Sequence, residues 1–284
     1  MVTAPPAVYV RGMTTVDAPH AGALLRTWRE RRGLSQLALA HTAGISPRHL
    51  SFVETGRSRP SRRTVLTLCE HLEVPLRERN SILLAAGLAP AYPEHHLGDV
   101  PMSAVSDAIT RILTLHNPFP ALVVDRHWTM VDANDAVVAL VEGCAPELLE
   151  PPVNVLRLTL HPRGLAPRIA DAGQWRAHLL ARLQHQIGAT GDPELKRLHG
   201  ELVGYPCDDP APEDVPHSLV VPFRLRTERG ELSFLSTTTL FGTPLDVTVS
   251  ELAIEAFYPA DAATSQALVR GSHLDPASYV EVPR

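Results

Sequence analysis

The stretch SQLALAHTAGISPRHLSFVETGRSRPS, residues 35–61, decides the fold of the N-terminal part of this chain. It contains two short helical segments, opened by Ser35 and Ser46, whose hydroxyls are suited to accept hydrogen bonds from the first backbone N–H groups of a helix. Gly44 lies between them and permits a sharp turn. Pro47 occupies the first position of the second segment, where its missing N–H costs nothing. The stretch therefore predicts two short helices joined by a tight turn.

Helical periodicity continues on both sides of this stretch. Apolar residues around Trp28 predict an earlier helix that ends at Gly33. Beyond the stretch, apolar spacing and breaker residues predict two more helices, at residues 61–72 and 75–86. Five short helices within about 70 residues leave little room for another fold. An all-α domain is therefore predicted at residues 21–89.

The charge of the chain is divided unevenly along its length. The whole chain carries −5, but residues 21–89 hold eleven arginines and five glutamates, a net +6. Residues 1–20 hold one Arg and one Asp, so residues 90–284 carry −11. A basic module beside a larger acidic one is typical of a protein that binds DNA with the first, because only that module must attract phosphates. A solvated charged surface is the plain alternative.

Residues 35–61 closely resemble the helix-turn-helix of the XRE-type repressor family. The matching features, in the family's order, are Gln36, Leu39-Ala40, Gly44-Ile45-Ser46, Glu54-x-Gly56 and Arg59-Pro60-Ser61. The stretch VPLRERNSILLAAGLAPAY, residues 74–92, extends the resemblance to the MmyB-like branch of these regulators. The resemblance implies a lambda-repressor-like, five-helix domain that binds double-stranded DNA.

The residues expected to contact DNA lie at the second helix of this motif and just before it. A helix in the major groove must expose short polar and basic side chains near its N-terminal end. Ser46, Arg48, His49 and Ser51 meet that need, and Arg48 has the geometry to contact a guanine edge bidentately. The family resemblance gives Gln36, on the preceding helix, a contact with a phosphate.

The sequence leaves more than one role open for other residues near this helix. Four arginines follow it and are either phosphate contacts or solvated charges: Arg57, Arg59, Arg62 and Arg63. His49 is equally compatible with a surface position that contacts nothing. Phe52 lies at a partly exposed position, where packing on a neighbouring helix is one explanation.

A change of pattern separates the N-terminal helices from the rest of the chain. The segment GLAPAYPEHHLGDV, which ends at Val100, is rich in Pro and Gly without a period and predicts a linker at residues 90–100. The next segments predict a helix at 103–115, strands at 121–124 and 128–132 around a tight turn, and a helix capped by Asn134. Later segments predict helices at 175–187, 193–202 and 262–269, and strands at 219–225, 232–240 and 247–257. Strands on both sides of a helical middle predict an antiparallel α+β domain.

The stretch PALVVDRHWTMVDAN, residues 120–134, resembles the opening hairpin and helix cap of a PAS-like sensor domain, which the MmyB-like branch carries. The resemblance implies that this domain holds a small apolar ligand such as a fatty acyl chain. Four large side chains either line such a pocket or fill the core, and core packing is the simpler interpretation: Trp128, Met130, Trp175 and Phe234. The sequence assigns no pocket residue.

Motifs of enzymes and metal sites are missing from the sequence. It has no H-E-x-x-H helix, His-x-His box, G-x-S-x-G elbow, P-loop or G-x-G-x-x-G turn. Its three cysteines are far apart and never spaced as Cys-x-x-Cys, which favours buried thiols over a disulfide framework or a zinc site. We therefore expect no catalytic residue, no metal and no cofactor.

Segments for membrane insertion or export are also missing. No apolar run approaches the roughly 18 residues that a membrane span needs. Residues 1–20 have neither a charged start nor an apolar signal core. These features predict a cytoplasmic protein without a membrane partner.

The sequence as a whole predicts a transcription regulator in five parts. These are a flexible arm at 1–20, a helix-turn-helix domain at 21–89, a linker at 90–100, a PAS-like sensor and dimerisation domain at 101–270, and a tail at 271–284. We expect sequence-specific binding to double-stranded DNA, controlled by a small hydrophobic effector. The small recognition surface of one helical domain and the large second domain favour a homodimer. The alternative is a protein-interaction or antitoxin-like module in which DNA binding is secondary.

Overall fold

The structure of the chain is a computed structural model that describes residues 19–209, 221–228 and 230–271. The chain divides after Ala91 into two compact units. We call the unit up to Ala91 the head and the unit from Tyr92 the body. The predicted arm up to residue 18, and the predicted tail from residue 272, lie outside the described residues.

Short α-helices make up the head, at the positions that the apolar periodicity predicts. In chain order they are Ala21–Arg31 (α1), Gln36–Thr42 (α2), Pro47–Glu54 (α3), Arg62–His71 (α4) and Leu76–Ala85 (α5). The serine caps predicted for α2 and α3 are confirmed. The Ser35 hydroxyl accepts a hydrogen bond from the Ala38 N–H at 3.1 Å, and the Ser46 hydroxyl accepts one from the His49 N–H at 3.2 Å. Each cap satisfies a backbone donor that the start of a helix leaves unpaired.

The interior of the head is mainly apolar. Side chains from α1 to α5, or from the turns that follow them, are fully buried there, among them Leu25, Leu39, Leu50, Leu68, Leu72 and Leu83. Burying one such leucine contributes about 1.5–3 kcal/mol relative to leaving it exposed. The packing of apolar faces, rather than intrinsic helix propensity, therefore holds these short helices together.

Two glycines of the head permit a backbone geometry that a larger residue would prevent, one in a turn and one at a close contact between helices. Gly44, in the turn between α2 and α3, has a φ of +65°, in the left-handed region that glycine enters without strain. Gly22 lies in the first turn of α1, where a Cβ atom would come within 1.8 Å of the Val53 carbonyl oxygen on α3. The backbones of α1 and α3 are therefore closer together than any side chain at position 22 permits.

In its described residues, the body combines helices with an antiparallel sheet of five strands. Its helices are Ser103–His116 (α6), Asp135–Val141 (α7), Val155–Leu160 (α8), Ala172–Thr190 (α9), Pro193–Val203 (α10), Val247–Ser250 (α11) and Ala262–Gly271 (α12). Its strands are Ala121–Val124 (β1), Met130–Ala133 (β2), Phe223–Thr227 (β3), Gly230–Leu240 (β4) and Ala253–Pro259 (β5). Short 3-10 helices lie at Val100–Met102, Pro146–Leu148 and Ala166–Arg168.

The strand order in the sheet is β2-β1-β5-β4-β3, and every neighbouring pair is antiparallel. On the central strand, Glu255 lies opposite Leu122 of β1 and opposite Thr238 of β4. Because side chains alternate along a strand, directly paired residues share a face of the sheet. We call the face with Glu255 the inner face, which α7 to α10 cover with apolar side chains. Helix α6 packs on the outer face through Ile109 and Leu113.

The predicted turn between β1 and β2 is held by Asp125. Its Oδ1 accepts hydrogen bonds from the backbone N–H groups of His127 and Thr129, both at 2.8 Å. Trp128 lies between them with a φ of +67°, which is a rare conformation for a bulky residue. The predicted cap of α7 is confirmed, since Asn134 Oδ1 accepts from the Val137 N–H at 3.4 Å.

One predicted strand is partly wrong. Residues 247–257 were expected to be extended, but Val247–Ser250 form the helical turn α11 and the strand begins at Ala253. The Asp246 side chain accepts a hydrogen bond from the Val249 N–H at 3.3 Å and so caps this turn. The cap outweighs the strand preference of the β-branched residues that follow it. The predicted strand at 219–225 is observed from Phe223, and its residues 219 and 220 lie outside the described part of the chain.

Part of the segment predicted as a linker is bonded to the body. The Pro93 carbonyl accepts a hydrogen bond from the Val247 N–H at 2.9 Å. His95 contacts Asp246 with both its backbone N–H, at 3.2 Å, and its ring Nδ1, at 2.8 Å. These contacts fix the chain beside α11.

Candidate functional site

The predicted DNA-reading residues lie together at the beginning of α3. Ser46 and Arg48 are exposed, and His49 and Ser51 are half-buried. Ser46 has a structural task as well, because its hydroxyl caps the helix. The polar end of α3 therefore faces solvent, as a helix that enters the major groove requires.

Arg48 is supported by an aromatic ring one turn further along α3. The centre of its guanidinium lies 5.4 Å from the centroid of the Phe52 ring. A cation above an aromatic face is attracted by the ring's negative face. Phe52, whose role the sequence left open, therefore holds Arg48 at the surface of the helix.

Gln36 belongs to a buried polar network. Its Nε2 donates a hydrogen bond to Glu54 Oε2 at 2.7 Å. Glu54 also accepts from Arg29, at 2.7 Å from Nε and 3.0 Å from Nη2. Arg29 Nη1 donates in turn to the Leu34 carbonyl at 2.7 Å. The network joins α1, α2 and α3 and fixes the direction in which the Gln36 amide points.

Sequence analysis missed the pair of Arg29 and Glu54, although a signal was present. Each lies four positions after a fully buried leucine, Leu25 on α1 and Leu50 on α3. Helical periodicity therefore places both charges on the buried faces of their helices. Since buried charges are almost always paired, opposite charges on two such faces predict a mutual contact.

The arginines that follow α3 differ in their surroundings. Arg57, Arg59 and Arg63 are exposed. Arg62 is also exposed, but its guanidinium donates to the carbonyls of Ala89 at 2.8 Å and Pro90 at 3.3 Å. Arg62 therefore fastens the segment after α5, a task that the sequence did not indicate.

The body contains a cavity between the inner face of the sheet and the helices that cover it. The space between its lining residues is about 730 Å³, a volume that includes the part open to solvent. The wall is mainly apolar and includes Leu122, Met130, Val137, Leu156, Leu179 and Phe257.

The sequence left open whether the large side chains of the body line a pocket or fill the core, and the structure shows both roles. Trp128, Met130 and Trp175 line the cavity and also pack against the core. Phe234 is fully buried in the core and does not contribute to the cavity wall. The cavity is therefore an unfilled part of the same apolar interior.

An ion pair crosses the cavity wall from helix α9 to strand β5. Arg182 Nη2 and Nη1 donate to the two carboxylate oxygens of Glu255, at 2.6 Å and 3.0 Å. The same guanidinium donates to Thr238 Oγ1 at 2.7 Å and lies 4.5 Å from the Trp128 ring centroid. Only 5% of the Glu255 side chain is exposed. No sequence pattern predicts this pair, because it joins a helix to a strand 73 positions further along the chain.

The two tryptophans of the cavity wall differ in their hydrogen bonding. Trp128 Nε1 donates to Gln186 Oε1 at 2.9 Å. Trp175 Nε1 is buried and has no hydrogen-bond partner in the described part of the chain. Burial, reinforced by the nearby charge of Arg182, holds the pKa of His178 below its usual value. The Trp175 donor therefore stays unused within the described residues, and the His178 ring lies beside Trp175, with 5.3 Å between the ring centroids.

The described residues offer neither a metal site nor a membrane-spanning helix. Within residues 19–209, 221–228 and 230–271, no three His, Cys, Asp or Glu side chains lie close enough together to hold a metal ion. No helix in these ranges has the length and apolar character to cross a membrane.

The solved structures that are similar to this chain include the following two. The crystal structure of the clp gene regulator ClgR from Corynebacterium glutamicum has 26% identity and a TM-score of 0.21, over 34% of this chain and 90% of that chain. The structure of an RNA-binding Light-Oxygen-Voltage receptor has 14% identity and a TM-score of 0.25, over 88% of this chain and 61% of that chain. No curated protein matches the chain significantly.

Two family models match the chain, one in each unit. A helix-turn-helix domain matches residues 20–82, which include α1 to α4 and most of α5. The ligand binding domain of MmyB-like transcription regulators matches residues 105–270, which is more than half of the chain. A DNA-binding domain joined to a ligand-binding domain is the arrangement of a transcription regulator and not of an enzyme. The chain belongs to the family of MmyB-like transcription regulators.

Proposed function

We propose that this regulator binds its operator sequence-specifically through α3 and is controlled by a small hydrophobic effector that occupies the cavity of the body. The observation that carries the proposal is the combination, in one chain, of an exposed polar and basic recognition helix with an apolar internal cavity. The polar and basic side chains of the helix suit the edges of base pairs, and the apolar cavity suits an apolar molecule.

The residues proposed to contact DNA fall into two groups. Ser46, Arg48, His49 and Ser51 face base edges from the first turns of α3. Gln36, Arg57 and Arg59 contact phosphates. The net charge of +6 on residues 21–89 supports this assignment, because phosphate contacts supply most of the nonspecific affinity for DNA.

The body is proposed to be a PAS-like sensor that holds a molecule of the size and polarity of a fatty acyl chain. Three features support this proposal. The β1–β2 hairpin leads directly into a helix capped by Asn134, the sheet is wholly antiparallel, and the helices that follow cover its inner face. The cavity lies on that same face, between sheet and helices.

We propose that residues 21–89 act as the DNA-binding domain, residues 90–100 as the linker, and residues 101–270 as the sensor and dimerisation domain of a cytoplasmic homodimer. One recognition helix contacts few base pairs, so a dimer on an inverted repeat supplies the specificity that a regulator needs. Its half-site centres are expected about one helical turn, roughly 10 base pairs, or a multiple of it apart.

The test is a selection of bound duplexes from a random DNA library with the full chain, combined with solvent extraction of the purified protein and mass spectrometry. The expected results are an enriched inverted repeat, a dimeric mass and an extracted apolar compound. A library without any enriched sequence would contradict operator recognition and favour the protein-interaction alternative. An enriched single half-site with a monomeric mass would contradict the dimer alone.

A further inference from the structure

The β1–β2 turn, residues 125–129, joins the cavity wall to the rest of the body. Trp128 lines the cavity and has a φ of +67°, a strained conformation for a bulky residue. Its indole donates to Gln186 Oε1 at 2.9 Å, and Gln186 Nε2 donates to the Arg126 carbonyl, also at 2.9 Å. The Gln186 amide therefore ties the backbone of Arg126 to a side chain of the cavity wall.

The Arg126 side chain lies beside the C-terminal end of α11. Its Nη1 is 3.7 Å from Glu251 Oε1 and 3.9 Å from Asp192 Oδ2, and both carboxylates are mostly buried. Glu251 is the first residue after α11, and its N–H donates to the Thr248 carbonyl inside the helix at 3.0 Å. Burial reduces the screening of these charges by water and salt. An ion pair therefore connects the β1–β2 turn to α11.

The N-terminal end of the same helix holds the linker. Asp246 caps α11 with Oδ1, and its Oδ2 contacts both the backbone N–H and the ring of His95. The Val247 N–H, in the first turn, donates to the Pro93 carbonyl at 2.9 Å. With four residues, α11 is about 6 Å long. The turn and the linker therefore contact opposite ends of one short element.

The chain just before these contacts is bonded to the head. Arg62 fastens the segment after α5, and Asn80 Oδ1 accepts a hydrogen bond from the Ala91 N–H at 2.9 Å. A single residue, Tyr92, stands between Ala91 and Pro93. A long flexible linker would absorb small displacements, but little chain remains here to do so. A shift of Pro93 therefore reaches residues that the head holds.

We propose that α11 transmits the occupancy of the cavity to the linker. The inference rests on the proposed function, in which a hydrophobic effector in the cavity controls the regulator, and it names the route of that control. An effector in contact with Trp128 changes the conformation of the β1–β2 turn, Arg126 then displaces α11, and α11 moves the linker residues that it holds. The effector shifts this equilibrium only as far as it binds one conformation of the turn more tightly, and Trp128 in the cavity wall supplies the differing contact.

Amide hydrogen exchange of the full chain measures the linker contact directly, because the Val247 N–H is the donor to Pro93. Arg126→Ala breaks the connection to α11 and is expected to speed exchange at Val247 by about two- to fivefold, the range of a partly exposed ion pair. The matched control is Arg224→Ala on β3, which also removes a half-buried arginine facing two carboxylates and should leave Val247 unchanged. Unchanged exchange in Arg126→Ala, or an equal rise throughout the sheet, overturns the inference.

A second variant breaks the same ion pair from the side of α11. Glu251→Gln keeps the size of the side chain and the backbone hydrogen bond that ends the helix. It should reproduce the faster exchange at Val247. This variant decides the question should Arg126→Ala not fold.

A second measurement uses dodecanoate as the probe for the cavity and the operator selected from the random library. On the wild-type chain, the probe is expected to change operator affinity by about fivefold or more, the usual range of coupling between two sites. His95→Ala removes a linker contact that lies outside the cavity wall, so the probe still binds while operator affinity responds less. His96→Ala, at the exposed neighbouring position, is the control and keeps the full response.

The outcomes separate the inference from the proposed function. If dodecanoate shifts operator affinity equally in the wild-type chain and in His95→Ala, effector control stands and the route through α11 is wrong. If dodecanoate binds without any shift of operator affinity, effector control fails and the inference fails with it. If dodecanoate does not bind, exchange at Val247 in Arg126→Ala decides the inference on its own.

Discussion

Arg29 and Glu54 lie 25 positions apart in the sequence and form a two-pronged ion pair inside the head, with 9% and 1% of their side chains exposed. Their contact holds α1 against α3, and Gln36 is attached to the same carboxylate. The placement of α3, the helix proposed to read DNA, therefore depends on a charge pair that is buried inside the head.

Glu54→Ala is expected to destabilise the head by about 3 to 5 kcal/mol, because Arg29 then remains buried without a counter-charge. Chemical unfolding of the full chain, followed by a signal from Trp28 in the head, measures the loss. The matched control is Arg26→Ala, which removes the exposed pair with Glu30, leaves Arg29 and Glu54 in place and should leave the unfolding midpoint unchanged. Equal midpoints for Glu54→Ala and the wild-type chain would contradict a stabilising role.

Arg48→Ala is expected to cost about 1 to 3 kcal/mol on the operator and to relax the preference at one base pair, because a base contact is lost. Arg57→Ala and Arg59→Ala should instead weaken operator and random duplex alike and reduce the salt slope by roughly one. Titrations of each variant against operator and scrambled duplex at several salt concentrations distinguish the two. An equal loss on both duplexes for Arg48→Ala would remove it from the base-reading set.

Phe52→Leu is expected to weaken operator binding by about 0.5 to 1 kcal/mol, the typical contribution of a cation above an aromatic ring at an exposed site. Phe52→Tyr keeps the ring and should bind like the wild-type chain. Both variants are measured against operator and scrambled duplex. A general loss of folding would lower both affinities, whereas a misplaced Arg48 lowers mainly that for the operator.

Cys207 is expected to react with iodoacetamide before the other two cysteines. It is half-exposed, whereas Cys69 and Cys144 are buried. Burial raises the pKa of the Cys69 thiol to about 12, so almost none of the reactive thiolate forms at neutral pH. Mass spectrometry of peptides after timed labelling measures the order, and labelling in denaturant is the control in which all three react. Labelling of Cys69 as fast as Cys207 in the native chain would contradict its burial.

The body is expected to lose stability as the pH falls through the ordinary histidine pKa of about 6.5. Burial holds the pKa values of His116 and His178 below normal in the folded chain. The unfolded chain then binds these protons first, so the free energy of unfolding decreases as the pH falls and levels off below the folded-state pKa.

The measurement is the melting temperature of the chain across this pH range. His178→Gln removes one of the two titrating groups and should reduce the pH dependence. His185→Gln, an exposed position on the same helix, is the control. A wild-type pH profile that His178→Gln leaves unaltered would contradict the assignment.

Helix starts were predictable from the sequence wherever the cap is local. The caps of α2, α3 and α7 are each formed by a side chain that accepts from a backbone N–H three positions later: Ser35, Ser46 and Asn134. Both partners of such a cap are therefore close together in the sequence. The cap at Asp246 obeys the same rule, and it was missed because the β-branched residues after it favoured a strand.

The ion pair and the cavity of the body could not be predicted from the sequence, because hydrophobic periodicity does not specify the contacts that form them. Arg182 and Glu255 are 73 positions apart, and their pairing follows only from the placement of α9 over the sheet. The cavity likewise results from how apolar residues of several elements fail to fill one space. The residues at the start of α3 were predictable because the motif that carries them is continuous in sequence.

The close approach of α1 and α3 at Gly22 predicts the result of a genetic selection. Any substitution there places a Cβ against the Val53 carbonyl and forces α1 away from α3, although position 22 is not among the residues proposed to contact DNA. Random mutagenesis followed by selection for loss of regulation should therefore recover recessive alleles at this codon alongside those at Arg48. Regulators substituted at Gly22 and at Arg48 would give the same loss of regulation in a reporter strain. They would differ in protein abundance, since only the chain substituted at Gly22 is misfolded and degraded.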